Sequence, residues 1–453
     1  MAAVLAVDLG GTSLRAAHVA RTGEVLRLAT RSHAIGVEAD ARDWWRTLSD
    51  VIAELGTEGI SAIALGGFTR SQVLVDESGS PVRPAQCFPD GRGLPVPGAD
   101  AGTWMAMTPF HPVARLAWVA AHDPAALSRA KHLLQPKDYL ILRLTGRAVG
   151  DRVANAWAIA RDGLGITAEP LRRAGLDPAL LPDLLDPGAF VGPARGLGLD
   201  GVPVFAGSMD TWMATIGAGI GRPGDAYLIS GTTDAGGVLT AAPAERPGLS
   251  CLPWGDDVFH TGGPSGAGAD ALAWAAELLG LADPAQVPER AAGARVDAPP
   301  LIFLPALSGT RAPSWNAAAR AALIGLDRAH GPAEIARAVL EGVAFADREL
   351  LGGIDCARVV IAGGGARSDL WCQIRADILG RPVLRAGAET GLLGAAALAW
   401  TGLGAYSDIA AAQAAMCRHD RSFMPTPSPR LDRLGEAWRR AWPIADLLAG
   451  LAG

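Results

Sequence analysis

Near the start of this 453-residue chain, a carboxylate is followed by a turn of small polar residues. In "AVDLGGTSLRAA", Asp8 precedes Gly10, Gly11, Thr12 and Ser13, and Arg15 lies seven residues beyond it. A tight Gly-Thr turn points successive backbone N–H groups one way and adds a hydroxyl, which makes a nest for phosphate oxygens. A carboxylate beside phosphate repels it unless a cation lies between them. Mg2+ suits that place, because it takes one or two carboxylates together with water and phosphate oxygens. Asp8 is therefore expected to hold the Mg2+ of a nucleotide, directly or through water, and Arg15 to return to a phosphate. The competing role for Asp8 is an Asx-turn cap on Gly10 or Gly11. No GxxxxGK[ST] occurs, so the chain is not a P-loop protein.

The elements around this turn form a pattern. Five short apolar runs end in glycine or a small polar residue: Val4–Val7, Ala62–Leu65, Pro203–Ala206, Tyr227–Ile229 and Val359–Ala362. They lead into Asp8, Gly66-Gly67, Gly207 with Asp210, Ser230-Gly231-Thr232-Thr233, and Gly363-Gly364-Gly365. Ligands of open α/β sheets bind beyond the carboxyl ends of the strands, and glycine there lets backbone approach them. "GPAEIARAVLEGVAF" predicts a helix opened by Pro332 and Glu334, with Ile335, Val339 and Val343 on one face. "RSDLWCQIRADILGRP" predicts another, capped by Ser368, striped by Leu370, Ile374 and Ile378, and stopped at Gly380. "LRAAHVARTGEVLRLAT" reads as two strands about a turn at Arg21–Glu24, so the first sheet opens as a β-meander and not a βαβ unit. "VLAVDLGGTSLRAAHVA" and "AYLISGTTDAGGVLTAA" share a plan of strand, Gly-Thr turn and strand. That echo fits either two similar domains or two ordinary hairpins.

Composition narrows the class. The length allows two or three domains. A net charge of −6 with no basic face argues against nucleic acid. Cys87, Cys251, Cys356, Cys372 and Cys417 are scattered and form no CxxC pair, which fits a reducing cytoplasm better than a disulfide or zinc framework. The uncharged stretch from Thr390 to Ser407 is mostly Ala and Gly, so a buried helix is expected there and not a membrane span.

Together, "DLGGTS" and "SGTT" resemble the paired phosphate loops of the actin, Hsp70 and sugar-kinase superfamily. "LLQPKDYLILRLTG", "FAGSMDTWMATIGAG", "FLPALSGTRAPSWNAAARAALIGL", "ALIGLDRAHGPAEIARAVLE" and "IAGGGARSDLWCQIRADILGRPV" are similar, in order, to segments of the FGGY carbohydrate kinases, with a xylulokinase-like cast. The resemblance implies an α/β fold of two RNase H-like (actin-like ATPase) domains flanking a deep central cleft. Residues 1–203 would form the mainly sugar-binding domain and 204–430 the mainly ATP-binding one, with a C-terminal helix over 431–453 packing back on the first. It implies ATP and Mg2+ as cofactors, with Asp8 at the metal and Gly11, Thr12 and Arg15 near the phosphates. Gly231 and Thr232 fall on the second phosphate loop, Gly268 on another nucleotide-side turn, and Gly364, Gly365 and Asp369 on the turn that contacts adenosine. Asp210 falls on the general base. Such a base works because the proton leaves late, as the O–P bond forms. Its competing role is a helix N-cap before "TWMATIGAG".

Departures from the family pattern cluster on the sugar side. Thr69-Arg70-Ser71 stands where xylulokinases carry Met-His-Gly and glycerol kinases Arg-Glu. Arg70 could fork onto vicinal hydroxyls or a carboxylate, or pair with Asp90, itself a candidate for sugar hydroxyls. Thr69 and Phe110 are further candidates to touch substrate, and His111 and Trp212 could also line the pocket. Thr233-Asp234 replaces a Ser-Gly pair, which would put an extra carboxylate near the phosphates. The leading expectation is phosphorylation of a primary hydroxyl of a ketopentose such as xylulose. The alternatives are a kinase for a sugar acid or short polyol, or a catalytically weak ATP- and sugar-binding sensor. The expected partner is a small sugar or polyol, without nucleic acid or membrane; a homodimer is left open.

Overall fold

The computed structural model describes residues 2–255, 257–295 and 297–449. It divides into two compact units, and the chain passes between them more than once. The first comprises Met1–Gly219, Leu252–Asp256 and Glu389–Cys417; the second holds the remainder.

In the first unit, β1 (Ala3–Leu9), β2 (Ser13–Ala20) and β3 (Val25–Ser32) form the expected meander. Helix α1 (Ala41–Leu55) is capped by Asp40, whose side chain accepts from Arg42 N. Its Trp44, Leu48, Val51 and Leu55 recur at helical spacing and share a core with Leu5, Val7 and Leu9 of β1. Strand β4 (Ile60–Gly67) then pairs parallel to β1, with Asp8 opposite Gly66. Helices α2 (Pro112–His122) and α3 (Pro136–Thr145) follow. Strand β5 (Phe190–Pro193) leads to β6 (Pro203–Met209), which pairs parallel to β4 with Met209 opposite Gly67. The sheet order is β5-β6-β4-β1-β2-β3, and helix α4 (Asp210–Gly217) continues directly from β6. Because β6 is hydrogen-bonded into the first sheet, this unit runs on to Gly219, and the boundary expected after residue 203 is corrected.

The second unit repeats the opening plan. Strands β7 (Asp225–Ser230) and β8 (Asp234–Thr240) are antiparallel about the Gly231–Thr233 turn, as β1 and β2 are about Gly10–Thr12. Strand β9 (Val258–Pro264) joins the far side of β8. Helices α5 (Ala269–Leu278) and α6 (Pro332–Leu350) precede β10 (Arg358–Ala362), which is parallel to β7 as β4 is to β1. The two echoing segments thus hold equivalent places in their own sheets. Helix α7 (Asp369–Leu379) begins at Ser368, whose hydroxyl accepts from Trp371 N, and stops at Gly380 in the left-handed region. Strand β11 (Val383–Ala386) follows.

The chain then returns to the first unit with α8 (Thr390–Gly402), the uncharged stretch, which is buried over most of its length. It meets α4 backbone to backbone. A Cβ on Gly217 would lie 1.8 Å from Thr390 O, and one on Gly394 would lie 2.0 Å from Met213 O. Among the described residues no helix is long and apolar enough to cross a membrane. Strand β12 (His419–Phe423) and helix α9 (Pro429–Ala441) lie in the second unit. Leu431, Leu434 and Trp438 of α9 share a core with Phe345 of α6, and Trp438 Nε1 donates to Phe303 O at 2.9 Å. Helix α9 therefore belongs to the second unit, contrary to the expectation that the C-terminal helix packs back on the first. The segment that goes back to the first is 389–417, whose glycines and alanines suit close helix packing.

Candidate active site

In the first unit, three parallel strand ends stand side by side. Asp8 is opposite Gly66, and Asp210 follows Met209, which is opposite Gly67. Asp8 is buried, and a Cβ on Gly391 of α8 would come within 2.6 Å of its Oδ2, so a side chain there would push the carboxylate aside. Arg15 Nη2 donates to Asp8 Oδ2 at 2.7 Å, and Arg15 Nη1 to Glu389 Oε2 at 2.8 Å. The arginine expected on a phosphate instead spans two carboxylates. Gly10 N donates to Ser13 O, so the turn closes on itself and does not need an Asx cap from Asp8. Asp8 Oδ1 is buried and, among the described residues, finds no hydrogen-bond partner. An orphaned carboxylate oxygen beside a Gly-Thr turn fits a divalent cation, bound directly or through water. Among the described residues no group of three or more His, Cys, Asp and Glu could hold a metal by itself.

Asp210 is the first residue of α4, and the capping position belongs to Met209. Its Oδ1 accepts from Thr211 N at 2.6 Å and from Thr211 Oγ1 at 3.3 Å. Burial first, and then the charge of Asp8, push its carboxyl up to about 6. The strand beneath is anchored at Ser208, whose hydroxyl donates to Asp151 Oδ1 at 2.7 Å. Asp151 also faces Lys137 Nζ at 2.7 Å, and Lys137 pairs with Asp138 as well, all three being buried. Lys137 is one of only two lysines in the chain, and that rarity was its signal in the sequence.

The candidate sugar-side residues separate into two kinds. Asp90 is fully buried; its oxygens accept from Arg92 N, Nε and Nη2 and from Gln86 Nε2. Asp90 is thus held by Arg92, two residues on, and by Gln86, and the expected contact of Asp90 with sugar hydroxyls is corrected. His111 is also withdrawn: its Nδ1 accepts from Val113 N at the start of α2, and burial pulls its pKa down to about 4. Trp212 is buried and donates to Trp254 O at 2.6 Å. Thr69 Oγ1 donates to Ala154 O at 3.2 Å beside Gln135 and Asn155. Arg70 has φ of 56°, which a side chain rarely adopts. Its carbonyl is held by Arg115 Nη2 at 2.6 Å. The buried Arg115 also donates to Phe110 O and Cys87 O, so one guanidinium ties together three loops. Phe110 is 44% exposed and Phe88 is 43% exposed, enough of each ring for a ligand to stack on. Phe88, which sequence reasoning passed over, lies 3.4 Å from where a Cβ of Gly11 would be.

In the second unit, the Gly231–Thr233 turn is laced to the start of α5. Ala269 N donates to Gly231 O and Asp270 N to Thr232 O, each at 3.0 Å. Gly268 sits where a Cβ would be 2.7 Å from Thr233 Cα. A Cβ on Gly365 would be 2.1 Å from Ser230 Oγ, whereas Gly364 faces open space. Thr12 and Thr232 are exposed on their turns. Asp369 is exposed too, but its carboxylate is shared by Arg385 (2.8 Å) and Arg421. Asp234 departs most from expectation. It is fully buried and turned inward onto Arg375, so it adds no carboxylate to the phosphate side of the loop.

Two family descriptions fit the chain: "FGGY family of carbohydrate kinases, N-terminal domain" over residues 3–217, and the C-terminal domain of the same family over 226–403. The chain belongs to the FGGY carbohydrate kinases. It is 30% identical over 436 residues to a xylulose kinase of Escherichia coli, covering 87% of this chain and 89% of that one. It is 32% identical over 490 aligned residues to a glycerol kinase of Aromatoleum aromaticum, covering 97% and 98%. The solved xylulose kinase of Rhodospirillum rubrum superposes with a TM-score of 0.89 at 26% identity, covering 99% of both chains. The two-domain α/β architecture is that of FGGY kinases, which are phosphotransferases that use ATP as donor and act on small sugars and sugar alcohols.

Proposed function

We propose that this FGGY kinase transfers the γ-phosphoryl group of ATP to a primary hydroxyl of a ketopentose such as xylulose, with Asp210 as general base. The observation that carries the proposal is Asp210 itself. It stands at a strand end in line with Asp8, uses Oδ1 on its own helix turn, and has a carboxyl poised near neutral pH. A carboxylate so placed takes the acceptor proton as the new O–P bond forms. Asp8, steadied by Arg15 and Gly391, would hold Mg2+. The ion would neutralise phosphate charge. Gly11 and Thr12 in one unit, and Gly231, Thr232, Gly268, Gly364 and Gly365 in the other, offer backbone N–H groups and hydroxyls to the nucleotide. The named activities of the relatives support the ketopentose.

A sugar acid or short polyol is the second reading, favoured by the strained, clamped backbone at Arg70. A weak sensor loses one of its two motives, because Asp234 is turned inward onto Arg375; the altered residues at 69–71 are the other. The test is ADP release from Mg·ATP against ketopentoses, polyols and sugar acids. Turnover on one compound that disappears in Asp210→Asn supports the reading. Equal turnover by the variant would sink the assignment of the base, and a sugar acid as the best substrate would replace the ketopentose.

A further inference from the structure

Arg375 lies on α7, within the stripe of buried Ile374 and Ile378, where an apolar residue would be expected. It is fully buried. Its Nε donates to Asp347 Oδ2 of α6 at 2.8 Å, and its Nη2 reaches Asp234 Oδ2 at the start of β8 and Ser230 Oγ at the end of β7 (3.1 Å). The Trp371 ring covers its guanidinium face, with the centroid 3.8 Å away. Ser230 Oγ in turn donates to Asp234 Oδ1 at 2.9 Å. One cation thus joins four elements.

Stability alone does not account for this arrangement. Taking three ionisable groups out of water is costly, and replacing a whole buried charge cluster by apolar side chains is often neutral or stabilising. Burial and the neighbouring Asp347 raise the Asp234 carboxyl well above the usual range. What the cluster touches is more telling. A Cβ on Gly268 would lie 2.8 Å from Asp234 Oδ1, and a Cβ on Gly365 would lie 2.1 Å from the Ser230 hydroxyl that Arg375 holds. Asp234 N and O also bond to Ala267 O and Ser265 N. All three nucleotide-side turns of this unit therefore rest on one buried cluster.

We propose that Arg375, Asp234 and Asp347 form a positioning triad that fixes the Gly231–Thr233, Gly268 and Gly364–Gly365 turns in register for ATP. This rests on the reading that those turns take the nucleotide. Small misplacements of such groups are expensive in binding and turnover.

The test removes the triad whole, as Asp234→Ala/Asp347→Leu/Arg375→Met in the full chain, so that no charge is left stranded. The readouts are the thermal midpoint and the KM values for ATP and for the acceptor. The expected result is a folded enzyme with its acceptor KM kept and its ATP KM raised roughly ten- to a hundredfold. A folded triple variant with an unchanged ATP KM overturns the proposal. If the triple variant does not fold, Ser230→Ala decides: it removes only the bridging hydroxyl, and an ATP KM rise of a few fold is expected, while no change overturns the triad. Gly364→Val is the control for the underlying reading. Nothing lies within 4 Å of its Cβ position, so the added side chain starts into open space and should block nucleotide. If Gly364→Val leaves ATP binding intact, the nucleotide assignment itself is wrong. If it weakens ATP while the triad variants do not, only the triad proposal fails.

Discussion

Asp210 and Asp8 stand at the carboxyl ends of two strands, β6 and β1, that flank the same strand β4. Burial, and after it the charge of Asp8, hold the Asp210 carboxyl up at about 6. A base tuned to that range is ionised at neutral pH yet less acidic than an exposed aspartate, which is the compromise that proton transfer requires.

The first prediction concerns pH. As the proposed base, Asp210 works ionised, so kcat/KM should rise with pH through about 6 and level off above 7. Stability should run the other way. A carboxyl whose pKa is raised by folding adds stability that is complete below about 4 and is lost as pH climbs through about 6. Asp210→Asn should therefore abolish turnover and raise stability at pH 7, by on the order of 1–3 kcal/mol. Thermal melts of both proteins at pH 4.5 and pH 7.5 check it; a gap between them that does not widen with pH contradicts the assignment.

Much of this site could be read in the sequence because its signals are local. Strand ends, Gly-Thr turns, the Ser368 cap and the Gly380 stop each declare themselves within a few residues. What could not be read are pairings made across the chain. Glu389 reaches Arg15 over 374 residues, and Asp234 reaches Arg375 over 141. Asp234 was conspicuous in its loop, but a carboxylate beside a phosphate turn and one turned into a core look identical until the partner arginine is located. The same limit misplaced the domain boundary and helix α9. An amphipathic stripe tells that a face is buried and not which unit buries it.

The second prediction concerns His33, which gave no signal in the sequence. Its backbone N–H donates to Thr12 O at 2.9 Å, and its Nε2 contacts Gly10 O at 2.9 Å. A carbonyl only accepts, so Nε2 carries the proton, and burial lowers the pKa of the ring, favouring this neutral form. The residue pins both ends of the Gly10–Thr12 turn. His33→Ala keeps the backbone bond and loses the ring bond, at a cost of about 1 kcal/mol in stability. The proposed place of the turn at the phosphates adds a kinetic expectation: the variant should lower kcat/KM for ATP severalfold and leave the acceptor KM alone. Steady-state kinetics with each substrate varied in turn settles the point. An effect confined to the acceptor KM contradicts it.

The third prediction separates backbone from side chain at Arg70. Its φ of 56° costs an L-residue about 1–2 kcal/mol, and Arg115 holds the carbonyl that fixes this geometry. Strain kept in place by a buried clamp beside exposed Phe110 is what a loop that serves the acceptor requires. Arg70→Ala removes the guanidinium and keeps the strain; Arg70→Gly removes both. The glycine variant should be more stable than the alanine variant by about 1 kcal/mol, the left-handed penalty less the extra freedom of unfolded glycine. The two should share one raised acceptor KM and an unaltered ATP KM, because both lack the same side chain. Equal stabilities would mean that the backbone there is not strained. An acceptor KM equal to that of the unmodified enzyme in both variants would remove Arg70 from the substrate side, and with it the motive for a sugar acid.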